Sequence, residues 1–514
     1  MKVKTLSRLW MPVVLAAVML VAQGCPDGPD SEEERAKIAA DRDYEAKSFL
    51  RSQYMEVYYY WRDEVKDRNA ALKPYEYGSI YDFFKEMLYK DDRWSWMMDK
   101  DDFIEIETGV ISGTWGVNIG QAVEEYRDYG LRVRYIFPGS PLERYGITRG
   151  AVLTRINGQN VEDDASGFDS QKVAIFKRDF YKSPQTFTFR LVNGRDTTFT
   201  AAWATSLSTR PGLITRVFQP GEFEGLSEPV GYFHYLSFKS SFLDDIHAAM
   251  KTFGDAGVRK LIVDLRYNGG GDSRASQLLI DYLAPESARG KSYVIRHHNS
   301  YLASLNDAYT DKENTQAIID ADRTTYVNGG GDGAYWDKVT ANRIPFDEIY
   351  FITGNGTASA SEMVINGLRP YMGDKLQMVG DTTYGKPNGM YYLMYPGSKA
   401  DYDEYLKDDF TNLQWVFLPI AFFNWNSEKE SIPLSGFVPD CYVADDLYHD
   451  FGVEETAIKA CLSHIVSGRY LPNASSYQDI PVKSADRPGY RIDMEEDKPH
   501  YGVYKAELPF FEGK

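Results

Sequence analysis

Two apolar runs in this chain end in small residues and reopen as amphipathic helices, which limits the fold more than any other feature. "RKLIVDLR" (259–266) is followed by "NGGGD" and the helical "SRASQLLIDYLA". "EIYFIT" (348–353) is followed by "GNGTASA" and the helical "SEMVINGL". Short apolar runs bounded by glycine read as buried strands, and apolar residues at three- and four-residue spacing read as helices. "PVGYFHYLSF" (229–238) and "SFLDDIHAAMKTFGDAG" add another strand and helix. Residues 205–470 are therefore expected to form an α/β domain with helices packed on a central sheet. Within it, "VNGGGDGAYWDK" (327–338) reads as a loop by composition.

Upstream the texture changes. Residues 39–109 read as helical. "YMEVYYYWRDEV" (54–65) and "SIYDFFKEMLYKDDRWSWMM" (79–98) repeat aromatics at helical spacing with charges between them, the pattern of a core-facing stripe. From 110 to 204, short strands and turns take over, with Asn157-Gly158 as a hairpin signal. "GLRVRYIFPGSPLERYGITRGAVLTRINGQNV" (130–161) resembles a PDZ domain in the order and spacing of its parts. That resemblance implies binding of an extended or C-terminal polypeptide segment along a sheet edge, with "YGLRV" at the carboxylate end of the groove. At 514 residues several domains are expected. The fold class is read as multidomain α+β: helical N-terminal region, PDZ-like β-rich domain, α/β domain, and a C-terminal extension (471–514) with no assignment.

The first residues read as an export signal. Lys2, Lys4 and Arg8 precede "LWMPVVLAAVMLV", which at about 13 residues is too short to span a bilayer. "AQGC" resembles a bacterial lipobox, which implies a signal peptide over 1–24, lipidation of Cys25, and attachment to a membrane of the cell envelope, the outer membrane being expected. The acidic stretch that follows, "PDGPDSEEE", reads as part of a flexible tether over 25–38. It is similar to the acidic patch behind the cysteine of surface-exposed lipoproteins of the Bacteroidetes type. A net charge of −18 argues against a nucleic-acid partner. Seven scattered His and no CxxC pair give no ground to expect a metal or cofactor. Cys441 and Cys461 either bridge or are two small buried residues.

Three motifs carry chemistry. In "NGTASASEMVINGL" (355–368) a strand gives way to a helix at Ser359, where free N–H groups favour negative charge. The same Ser359-x-x-Glu362 is also a capping box. "LIVDLRYNGGGD" (261–272) ends in three glycines that allow close backbone approach, without the spacing of a nucleotide loop. "TTYGKPNG" (382–389) presents Lys386, a base once burial lowers its pKa.

Together, "DLRYNGGG", "TASASE" and "TYGKP" resemble, in order, the signature of the C-terminal (tail-specific) processing proteases, the S41 family of Ser–Lys peptidases. "GFVPDCYV" (436–443) matches a further family strand, and the likeness covers roughly 110–450. It implies a ClpP/crotonase-like serine peptidase domain, polypeptide substrates, Ser359 as nucleophile and Lys386 as general base. It also implies an oxyanion hole from the N–H groups of Ala360 and Gly270, with Glu362 orienting the site or capping the helix. Motif identity selects Ser359, whereas the family's 25-residue interval to the lysine selects Ser361. "RPYMGDKLQM" (369–378) would supply the extra two residues as a longer turn. Two positions depart from the family: Met390 stands where a supporting Gln is common, and Pro370 where an acidic residue is. A non-catalytic peptide-binding lipoprotein on the same fold is the alternative.

Overall fold

Strands buried on both faces need unbroken apolar runs, and the middle two of the six in the central sheet have them, at 261–263 and 349–352. Their order is Gly212–Phe218, Val230–Tyr235, Lys260–Asp264, Glu348–Thr353, Leu376–Gly380 and Cys441–Tyr442. The first pair is antiparallel and all the others are parallel. This computed structural model describes residues 31–121, 130–162, 170–397 and 410–470. The signal segment 1–24, Cys25 and the extension 471–514 lie outside the described residues.

Side-chain alternation sorts the core into two layers. Phe233, Leu261, Val263, Ile349, Phe351 and Met378 pack with the helices Leu243–Asp255, Ser273–Leu283 and Ala360–Met372. Tyr232, Ile262, Tyr350, Ile352 and Val379 pack instead with the helix Thr456–Ser467 and with Tyr135 and Phe137 of the β-rich segment. One consequence positions the site. The glycine run, the serine turn and the lysine loop follow three adjacent parallel strands at their carboxyl ends, where open α/β sheets place their ligands.

The β-rich segment is an antiparallel sheet in the order Val117–Gln121, Leu131–Ile136, Val152–Ile156, Gln185–Arg190, Asp196–Ala201. Asn157 and Gly158 both take positive φ, +50° and +78°, and turn the chain into Gln159–Asn160 as a type I′ hairpin requires. Tyr129 of "YGLRV" lies outside the described residues.

Three sequence expectations change. The tether expected over 25–38 gives way to a helix at Glu32–Ala40, because Ser31 caps Glu34 and three glutamates fill the favourable first turn. The helix expected over 79–98 stops at Met87, and Trp96–Asp99 is a strand pairing with Trp415–Leu418. A partner more than 300 residues away overrides the local periodicity there. The loop expected over 327–338 is a glycine turn between two short helices, Arg323–Asn328 and Gly333–Ala341, capped by Asp322 and Asp332. The N-terminal region is not a free-standing unit. Tyr54, Tyr59, Phe83 and Phe84 share one core with Tyr391, Leu393, Phe417 and Phe422.

Candidate active site

Ser359 begins the helix Ala360–Met372 with φ +56° and ψ −113°. A non-glycine residue rarely holds such a conformation, and it persists only where its surroundings fix it. Here they do. The Ala358 N–H donates to Asn268 O at 3.1 Å, and the Met363 N–H to Ser359 O at 2.8 Å. The Ser359 N–H donates to Glu362 Oε2 at 3.0 Å. Ser359 is half-buried, whereas Ser361 is fully buried and donates its Oγ hydrogen to Asn268 O at 2.9 Å. Of the two serines, Ser359 is the one that combines a partly exposed position with an enforced backbone.

The glycine run closes one side. Gly270 has φ +109°, and a Cβ on it would lie 2.8 Å from Ser359 Cβ and 2.9 Å from Ala360 N. No side chain fits there, so the space beside the Ala360 N–H stays open. The Gly270 N–H, expected in the oxyanion hole, has a partner of its own. It donates to Asn268 Oδ1 at 2.9 Å, while Asn268 Nδ2 donates to Tyr235 O at 2.8 Å. Asn268 thus ties the glycine run, the serine turn and a neighbouring strand together. A lone polar residue before three glycines was its only sequence signal.

Glu362 is more than a cap. Its Oε2 accepts from the N–H of Ser359 and, at 2.8 Å, from the N–H of Lys386. Its Oε1 accepts from Thr383 Oγ1 at 2.5 Å and from the Gly385 N–H at 2.7 Å. One buried carboxylate therefore clamps the serine turn to the lysine loop. Burial pushes its carboxyl up, and these four donors offset only part of the rise. The Tyr384 N–H donates to Thr357 O at 2.9 Å and adds a second tie.

Lys386 is 7% exposed. Burial holds its ammonium down at about 8, against the opposing charges of Glu362 and Asp92. Asp92 lies in the N-terminal region, about 300 residues earlier, and nothing in the sequence pointed to it. Met390, in the glutamine's place, packs with Met98, Phe103 and Met394. Pro370 lies inside the last turns of the serine helix. The segment 369–378 is no single turn: it runs from that helix through Gly373–Lys375 into Leu376–Gly380. Cys441 and Cys461 are both free and buried.

Residues 229–400 match the family model "Peptidase family S41", and residues 47–96 match "Peptidase S41 N-terminal domain". Residues 229–400 are a peptidase family S41 domain. That domain is one of serine-type proteases, which act on polypeptides. Its structure resembles that of a Bacteroides fragilis protein described as an S41 protease, at 20% identity and TM-score 0.57 over 83% of this chain and 98% of that one. This likeness speaks to the fold. The photosystem II D1 C-terminal processing protease is similar at 16% identity and TM-score 0.41, covering 80% and 93%. Mature CPAF is similar at 12% and 0.43, covering 79% and 93%. A search of curated proteins finds no match. The S41 N-terminal match includes Asp92 and ends at the first residue of the strand Trp96–Asp99.

Proposed function

We propose that the chain is a serine endopeptidase in which Ser359 attacks the scissile carbonyl and Lys386, neutral above its lowered pKa, takes the proton. The observation that carries this reading is the shared clamp: the N–H groups of Ser359 and Lys386 meet on the same oxygen of Glu362. The Ala360 N–H, at the helix start, is the first oxyanion donor. Gly270 joins it only when its N–H is shared with, or released from, Asn268. An acyl-enzyme forms on Ser359 Oγ and water hydrolyses it.

The residues 110–204 act as the PDZ-like dock for extended or C-terminal segments, and lipidated Cys25 holds the enzyme in the cell envelope. The apolar Met390 favours one other reading, a peptide-binding lipoprotein on the same fold.

Incubation with casein distinguishes the readings when fragments are followed by mass spectrometry. Cleavage lost by about 10³-fold or more in Ser359→Ala and Lys386→Ala, and kept in Ser361→Ala, is expected. Loss in Ser361→Ala with retention in Ser359→Ala overturns the choice of serine. No cleavage by the folded wild type favours the binding protein. Loss of palmitate-analogue labelling in Cys25→Ala tests the anchor.

A further inference from the structure

Lys386 is followed by a residue with no explained role. Lys386-Pro387 leads into the edge strand Asn388–Met390, which pairs antiparallel with Ile420–Trp425 and sets Asn388 opposite Phe423. The pairing reaches one residue further back, since the Asn424 N–H donates to Pro387 O at 2.7 Å. Proline fixes its own φ and holds the preceding residue extended. In extended backbone alternate residues share a face. Lys386 and Asn388 are therefore alternate residues of one extended segment, with Cα atoms roughly 7 Å apart.

Asn388 is fully buried, yet among the described residues neither its Oδ1 nor its Nδ2 has a hydrogen-bond partner. Buried carboxamides are nearly always paired, because an orphaned one keeps its whole desolvation cost. The opposite face of the strand gives no reason for it: Gly389 lies under the ring of Phe422. Met390, at the position of the family glutamine, lies in apolar packing.

The lysine supplies the reason. Once it takes a proton, Nζ carries three N–H donors in a buried site and needs acceptors. Two carboxylates act on its charge, Glu362 of the serine helix and Asp92 of the N-terminal region. Both already receive four donors. Those of Glu362 come from Ser359, Thr383, Gly385 and Lys386. Those of Asp92 are the Tyr59 hydroxyl, the Trp94 N–H, and the N–H and hydroxyl of Ser95. Asn388 Oδ1 receives none.

We infer that Asn388 is a positioning residue for Lys386, its Oδ1 receiving an N–H of the ammonium that forms during attack. This rests on the serine–lysine reading above. As the bond from Ser359 Oγ to the carbonyl carbon forms, the hydroxyl proton moves to Nζ. It passes to the departing amine nitrogen as the C–N bond breaks. Asn388 exchanges no proton; it keeps Nζ aligned between the two transfers.

The test is the pH dependence of kcat/KM for labelled casein in wild type, Asn388→Leu and Asn388→Asp. An acceptor that favours the ammonium raises the lysine pKa, so its removal lowers it. Asn388→Leu is expected to move the acidic limb down by about one pH unit and to cut the plateau about tenfold. Asn388→Asp, of nearly the same shape, is expected to move the limb upward. Opposite shifts are a signature that a merely structural residue does not produce. Met390→Gln in an Asn388→Ala background is expected to recover most of the lost plateau. If circular dichroism shows Asn388→Leu unfolded, the upward shift in Asn388→Asp alone decides. A limb unmoved in Asn388→Asp overturns the inference. Wild-type cleavage that survives Ser359→Ala and Lys386→Ala overturns the serine–lysine reading instead.

Discussion

Glu362→Gln separates a carboxylate that holds the site together from one that only starts a helix. The carboxylate accepts four hydrogen bonds, two at each oxygen. An amide keeps one accepting oxygen, so two of the four donors lose their partner. Hydrogen bonds to charged groups contribute about 1.5–3 kcal/mol each. Thr383 softens the loss if its hydroxyl turns to accept from the new NH2. The expected destabilisation is ~2–4 kcal/mol, read as a lower urea midpoint. The charge has its own effect. Glu362 raises the Lys386 pKa, so its neutralisation lets the base titrate lower, and the acidic limb of kcat/KM moves below about 8. With the serine turn and lysine loop no longer tied, the plateau is expected to fall roughly 10- to 100-fold. A variant that loses stability but keeps the wild-type plateau and limb refutes the clamp. It would leave Glu362 an ordinary cap.

The wild-type kcat/KM itself is expected to rise through a midpoint near pH 8, the value to which burial brings Lys386. Asp92→Asn removes a charge that favours the ammonium and should lower that midpoint by roughly half a pH unit; an unmoved midpoint means the N-terminal region does not reach the base. His234 is fully buried with neither ring nitrogen paired among the described residues, and burial lowers its pKa to about 4. The unfolded chain therefore binds the extra proton as pH falls from 6.5 toward 4, and up to about 3 kcal/mol of stability is lost in that window. Urea titrations across it should flatten in His234→Phe, and an unchanged slope contradicts the assignment. Gly270→Ala places a methyl 2.8 Å from Ser359 Cβ at a backbone angle unsuited to alanine; cleavage should vanish while circular dichroism stays near that of wild type.

The strands behind the three motifs were legible because a doubly buried strand must be apolar throughout and glycines mark its end. "RKLIVDLR" is observed as Lys260–Asp264, and "EIYFIT" as Glu348–Thr353. What failed to show depends on distant partners. Trp96–Asp99 looked helical because its own residues carry a helical stripe, and only Trp415–Leu418 makes it a strand. Asp92 likewise acts on the charge of Lys386 from about 300 residues earlier in the chain. At the site, residue types could nominate Ser359 and Ser361 alike. The positive φ of one and the committed hydroxyl of the other are properties of the folded backbone. The donor set at Gly270 was equally hidden, because Asn268 Oδ1 reaches that N–H only once the glycine turn is formed.

The most direct test of the dyad is covalent trapping. The folded protein, incubated at pH 9 with a fluorophosphonate, is digested and its adduct is located by tandem mass spectrometry. An adduct on Ser359, absent in Lys386→Ala, is the expected result. An adduct on Ser361, or labelling of Ser359 at an equal rate without Lys386, would contradict the mechanism.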